Sequence, residues 1–182
     1  MPRIPAVDPD TATGRAKELL QTVRLKFGST PNLCRTLAHG PAALDAYVRI
    51  HDCLAFGVLD PMVRERIALV VAEENGCEYS LAAHHANGTM HGLTDRDVDD
   101  ARRARATDPA VHAVLEFARQ LVVKKGRVRD TDLRELLRFG WGYGAIAEIV
   151  ATVALGIFSD YFSHVARMEP DCPAIERPKA VA

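Results

Sequence analysis

Arg64-Glu65-Arg66-Ile67-Ala68-Leu69-Val70-Val71-Ala72-Glu73-Glu74-Asn75-Gly76-Cys77-Glu78-Tyr79-Ser80-Leu81-Ala82-Ala83-His84-His85 reads as two helices and the break between them. Asp60-Pro61 upstream is a helix start: Asp accepts from free N–H groups and Pro suits the first helical position. Ile67, Val70 and Val71 recur at helical spacing until Asn75-Gly76 stops the helix. A second helix begins at about Cys77 and ends near Gly92. Cys77, Ser80 and His84 then share one face of that second helix. Glu65 sits on the helix before it, which must fold back antiparallel across the short break. A carboxylate, a thiol, a hydroxyl and an imidazole can therefore meet in one pocket. Imidazole takes a proton from a thiol or hydroxyl, and a carboxylate behind it orients the ring and raises its basicity. At a helix start the thiol of Cys77 is expected to ionise below the free value of about 8.5 and to be the most reactive of the chain's thiols.

Outward from this block, the rest of the chain also reads at helical period, and no alternating strand pattern stands out. The spacing predicts a first helix from Thr11 to about Lys26 and a short helical turn after Pro31. A helix opened by Pro41 carries Leu44, Tyr47, Val48, His51 and Leu54 on one face. Downstream, Thr94 caps a short charged helix, and Thr107-Asp108-Pro109 opens another that closes at Lys124-Lys125-Gly126. A shorter helix covers Asp132 to Phe139. The last long helix runs from about Tyr143 to Met168, with Ile146, Ile149, Val153, Ile157, Tyr161 and Val165 as its apolar stripe. Gly156 within it permits close helix packing, and the Pro-rich tail after Glu169 is expected to run extended over a surface. The expected fold is all-α, an antiparallel helical bundle with the motif helices at its centre. It forms one domain over residues 1–182, with an elongated two-lobed body as the alternative.

Composition narrows the function. The chain has 182 residues, with 23 basic and 24 acidic side chains, which argues against an electrostatic nucleic-acid or membrane footprint. A chain of this length buries about 70% of its unfolded surface and needs no staple to fold. No apolar stretch follows Met1-Pro2-Arg3-Ile4-Pro5, and the nearly apolar run Ala145 to Phe158, interrupted by Glu148, reads as too short for a bilayer. A soluble cytoplasmic protein is the expectation, in which four cysteines are reduced thiols and not a disulfide framework. Cys34 and Cys53 read as inert core thiols, and Cys172 sits in a Pro-flanked tail that reads as exposed.

The order Glu65, eleven residues, Cys77-Glu78-Tyr79-Ser80, three residues, His84 resembles the core of the carboxymuconolactone decarboxylase family in its alkyl hydroperoxidase D-like branch. The likeness is most specific from Leu44 to Ala104. A second, weaker match is Asp160-Tyr161-Phe162-Ser163-His164-Val165-Ala166 with Glu169-Pro170-Asp171, where Asn often occupies the positions of Asp160 and Ser163. The resemblance implies a helical bundle of the alkyl hydroperoxidase D-like type, assembled as trimers or hexamers. It implies peroxide reduction in which the second motif cysteine attacks, the first resolves it as a disulfide, and a dithiol partner protein restores both. Here the attacking position is Ser80, which has no sulfenic acid, so two-cysteine turnover inside the motif is impossible. Either Cys77 acts as a single reactive thiol, or another thiol resolves it, or the peroxidase activity is absent; Glu65, Cys77, Ser80 and His84 are the candidate catalytic residues.

Taken singly, each of these residues has an ordinary structural explanation: a helix-start cysteine, a surface ion pair of Glu65 with Arg64 or Arg66, a core histidine. The joint spacing carries the site. A metal is not called for: Cys77, His84 and His91 repeat every seven residues, about 10 Å apart along a helix, too far for one ion. No cofactor is called for either. Tyr79 reads as packing, and His39, His51, His112 and His164 are assigned no catalytic role, although His164 reaches the pocket if the last helix packs over it. Three functions remain: a thiol-dependent hydroperoxidase acting on a small peroxide, a decarboxylase or lactone-handling enzyme acting on a small acidic substrate, and a non-enzymatic or redox-sensing oligomer. Glu65 and His84 facing Cys77 would favour the first, an arginine-rich pocket the second, and a motif sealed from solvent the third.

Overall fold

The computed structural model describes residues 1–171, and among these every regular element is a helix. In chain order they are α1 (Gly14–Phe27), α2 (Asn32–Leu37), α3 (Pro41–Ala55), α4 (Pro61–Asn75), α5 (Glu78–Met90), α6 (Asp95–Arg102), α7 (Pro109–Val123), α8 (Asp130–Arg138) and α9 (Tyr143–Ala166). The all-α expectation holds. Expectations for Cys172 and the tail beyond Asp171 lie outside the described residues.

Local chemistry sets the boundaries. Asp60 accepts from the Met62 N–H at 2.8 Å, Asp108 from the Ala110 N–H at 2.8 Å, and each is followed by a proline. Thr94 and Asp97 exchange side-chain and backbone bonds in a capping box at the start of α6. Gly76, at φ 64°, ends α4 in the left-handed region, and the next N–H, that of Cys77, reaches back to the Ala72 carbonyl at 2.9 Å. The Cys77 carbonyl already accepts from the Leu81 N–H at 3.0 Å. One residue thus closes α4 and opens α5, which forces the two helices to turn back on each other.

Two apolar clusters organise the bundle. The larger is built on Ile67, Leu69, Val70 and Val71 of α4, packed by α6, α7, α8 and the first half of α9. The smaller gathers Leu19, Leu20 and Val23 of α1, Leu33, Cys34 and Leu37 of α2, and Leu44 and Val48 of α3. Helix α5 serves both, giving Leu81 to the first and Cys77 and Tyr79 to the second. The motif lies where the clusters meet.

Helix α9 packs against α2, α3, α4, α5 and α7. A Cβ on Gly156 would lie 3.0 Å from a methyl of Val71, so the α4–α9 approach depends on that glycine. At 24 residues α9 is long and apolar enough to cross a membrane by length and composition, which corrects the reading that its apolar run is too short. The expected stripe also needs correction: Ile149 and Val153 are buried, but Tyr161 and Val165 are 60% and 58% exposed. The helix is apolar on nearly every face, so period alone did not say which face turns inward. Cys53 is exposed as well, since it falls on the outer side of α3, and is not a core thiol.

Candidate functional site

The end of α4, the start of α5 and the last third of α9 converge on the motif. Packed against α5, α4 carries Glu65 opposite His84, and the Glu65 carboxylate meets His84 Nδ1 at 2.8 Å. Their side chains are 14% and 25% exposed, so the pair is half-buried and reachable. Glu65 does not pair with its neighbours: Arg66 bonds Asp97 at 2.9 Å and Arg64 donates to the Leu59 carbonyl at 2.5 Å. Burial works against the imidazolium, but the Glu65 carboxylate, with Asp160 behind it, raises the His84 pKa above its ordinary value. The pairing thus favours the protonated ring over an unpaired buried one.

Cys77 and Ser80 are one turn apart, both buried, and the thiol donates to the Ser80 hydroxyl at 3.3 Å. The expectation of an easily ionised thiol is overturned. Burial first, and then the nearby Asp160 carboxylate, push the Cys77 pKa up, while bonds to Ser80 and Ser163 pull only partly back. The physical reason is direction. Cys77 occupies the N-cap position of α5, but its side chain turns inward against α9, and the Ser80 backbone N–H offsets its burial only in part. Exposure follows the same pattern, since Cys77 is 1% exposed and, among the described cysteines, Cys53 is the exposed one. Cys77 is thus not the most accessible thiol. Cys34 is buried too, and burial followed by Asp171 pushes its pKa up to about 12.

The structure makes two pairs of the four residues expected from the sequence, Glu65 with His84 and Cys77 with Ser80, and adds others that the spacing did not single out. Asp160 is 1% exposed; its Oδ2 accepts from Asn75 Nδ2 at 2.8 Å, while its Oδ1 has no hydrogen-bond partner among the described residues. Asp160 and Ser163 lie one turn apart on the inner face of α9, over the Asn75–Cys77 turn. His164 comes to the same turn but stops at its rim, bonding the Asn75 carbonyl at 3.0 Å from an exposed position. On the other side, α3 contributes Tyr47 and His51, whose ring centroids are 6.3 Å apart. Phe27 meets the His51 ring edge-on at 4.8 Å. Burial lowers the His51 pKa, against the pull of Glu65; burial raises that of Tyr47, with Cys34, Glu65 and Asp160 adding to it. His51 was assigned no catalytic role, yet it stands beside the Glu65–His84 pair. The available signal was that Tyr47 and His51 share a helix face, which alone cannot show what the face meets. Tyr79 packs as expected: its hydroxyl accepts from the Leu33 N–H at 3.0 Å and donates to Asp171 at 2.6 Å, joining α5 to α2.

Among the described residues no three His, Cys, Asp or Glu side chains are grouped to hold a metal ion. What the arrangement can do is move a proton between Glu65–His84 and a reactant, beside a thiol that is protonated at rest.

Residues 41–124 match the Carboxymuconolactone decarboxylase family. No curated protein matches the chain. Among solved structures, one similar fold is an alkylhydroperoxidase AhpD core protein from Ralstonia eutropha JMP134, described as an uncharacterized peroxidase-related protein. It is 24% identical over 93% of this chain and 92% of that one, with a TM-score of 0.83. A peroxidase-related protein from Silicibacter sp. TM1040 is 21% identical over 93% of each chain, with a TM-score of 0.79. The debrominase Bmp8, solved with 2,3,4-tribromopyrrole, is 18% identical over 93% of this chain and 91% of its own, with a TM-score of 0.79. At these identities the structures establish the shared fold. Residues 41–124 are thus similar to the carboxymuconolactone decarboxylase family, and the chain shares the fold of the alkylhydroperoxidase AhpD core protein.

Proposed function

We propose that the protein is a thiol-dependent oxidoreductase of the hydroperoxidase type that works through one motif thiol, Cys77. The observation that carries this reading is the intact proton-handling pair, His84 held on Glu65 at 2.8 Å, on the same helix face as the Cys77–Ser80 contact. In the reaction the Cys77 thiol gives its proton to the His84 imidazole, and the thiolate attacks the outer oxygen of a hydroperoxide. An S–O bond forms, the O–O bond breaks, and the departing alkoxide takes a proton from His84, giving an alcohol and a sulfenic acid. An external thiol then condenses with the sulfenic acid, releasing water and leaving a mixed disulfide. A second thiol displaces Cys77 from it. Sulfur is oxidised and the peroxide reduced, with two thiol equivalents supplied from outside, by a dithiol protein or a small dithiol. Ser80 serves as a hydrogen-bond partner of the sulfur and carries no electrons. The assembly we propose is a homo-oligomer, and the cytoplasm is a compartment that keeps the thiol reduced.

A second reading, proton transfer on a carbonyl or lactone substrate, is favoured by the burial of Cys77, because such chemistry needs Glu65–His84 and no thiol. The debrominase among the structural relatives also supports a substrate range wider than peroxides. Consumption of cumene hydroperoxide with dihydrolipoamide separates the readings. Turnover lost in Cys77→Ala and lowered about a hundredfold in His84→Ala is the expected result, that being the usual scale for a lost general acid or base. Turnover unchanged in Cys77→Ala would overturn the thiol reading.

A further inference from the structure

Asp160 is the buried ionisable group that the mechanism above leaves without a task. It is 1% exposed, and only one of its two oxygens is used inside the protein, accepting from Asn75 Nδ2 at 2.8 Å. The other, Oδ1, is buried without a hydrogen-bond partner among the described residues. An unpaired buried carboxylate oxygen costs free energy unless something donates to it. Its place is fixed by three contacts of α9 with the motif turn: Asp160 to the Asn75 side chain, His164 to the Asn75 carbonyl at 3.0 Å, and Ser163 to the Cys77 sulfur. From there its charge acts on Cys77, on Tyr47 and on His84 together. Asp160 thus stands against the motif turn with one oxygen left over, close enough for its charge to act on the Cys77 sulfur.

We propose that Asp160 Oδ1 is the substrate-binding acceptor of this site, and that it selects an uncharged substrate with an O–H or N–H to donate, while the site turns anionic substrates away. This rests on the thiol reading above and names its substrate class. The charge arrangement supports it. Glu65 is paired with His84 at 2.8 Å, while Asp160, beside the sulfur, forms no ion pair among the described residues. Arg64 acts on the His51 side and has its guanidinium on the Leu59 carbonyl. A neutral hydroperoxide can donate its O–H to Oδ1 with its outer oxygen next to Cys77. A carboxylate would meet a like charge in a poorly solvated place, a penalty on the scale of tenfold or more in rate or affinity.

Two alkylating probes of nearly equal size test this without requiring turnover: iodoacetamide, which is neutral and carries N–H donors, and iodoacetate, which is anionic. The exposed thiol of Cys53 is the internal reference in the same protein, with peptide mapping to assign each label. Expected for the unsubstituted protein is a Cys77 preference for iodoacetamide about tenfold greater than that of Cys53. Asp160→Asn removes the charge and keeps a side-chain oxygen for Asn75, and should bring the Cys77 preference to that of Cys53. Equal preferences at Cys77 and Cys53 in the unsubstituted protein would overturn the inference while leaving the thiol reading standing, and this arm needs no variant to fold. An unchanged preference in folded Asp160→Asn would also overturn it. Failure of Cys77 to label with either probe in the native protein would end both, because a sealed thiol serves neither. In turnover, the same selection should appear as a kcat/KM favouring a neutral hydroperoxide over its carboxylate analogue.

Discussion

At the scale of single residues, the sequence showed which side chains meet and not what burial does to them. Glu65, Cys77, Ser80 and His84 could be grouped from spacing because a helix fixes which positions share a face. The ionisation of Cys77 could not, because it depends on the direction of the thiol and on Asp160, more than eighty positions away in the chain. Two histidines with opposite shifts give a pH prediction. His84 binds its proton more tightly in the folded protein, so its contribution is full below its ordinary value of 6.5 and is lost as pH rises through its elevated folded value. His51 binds its proton less tightly when folded, so stability is lost as pH falls below 6.5 through its lowered folded value. Melting temperature should therefore peak near pH 6.5 as far as these two groups decide it. Glu65→Gln should remove the fall on the alkaline side and cost most stability below the peak; an equal loss at every pH would contradict the pairing. The Cys77–Ser80 contact at 3.3 Å also predicts the effect of Ser80→Cys. A Cys-x-x-Cys at a helix start can close a disulfide with little backbone change. Peroxide turnover with a dithiol should rise, and the oxidised variant should carry a bridge between positions 77 and 80 on peptide mapping. An oxidised variant with both thiols free would contradict the geometry.

At the scale of elements, the starts and stops were legible because they rest on local chemistry: Asp60-Pro61, Thr94, Asp108-Pro109 and Gly76 are all where their capping roles put them. The inward face of α9 was not legible. A helix with Tyr143, Val150, Tyr161 and Val165 outside and Ile149 and Val153 inside has no polar side to give its orientation away. What orients it is Gly156 against Val71, and Asp160 and Ser163 over the motif turn. Gly156→Ala should push α9 from α4 and cost about 1–3 kcal/mol, the usual range for overpacking a close contact. Denaturant unfolding measures it. Because the shift carries Asp160 with it, Cys77 alkylation should change in the same variant; unaltered stability would show that the helices have room to give.

At the scale of the whole molecule, α9 leaves an apolar stripe uncovered: Tyr143 is 77% exposed, Val150 44%, Tyr161 60% and Val165 58%. This is a patch of the kind that marks an interface. A trimer or hexamer by light scattering is expected, and Tyr161→Glu should weaken it; a stable monomer of 19.9 kDa would contradict the assembly. Function at this scale comes down to whether the buried thiol is the redox centre. The direct measurement is to give the reduced protein, in a Cys53→Ser background, one equivalent of cumene hydroperoxide in the presence of dimedone and to map the adduct. The expected result is a sulfenic-acid adduct on Cys77 that forms with consumption of the peroxide and is lost in His84→Ala. Unconsumed peroxide, or an adduct on Cys34 with Cys77 intact, would contradict the assignment of Cys77 as the working thiol.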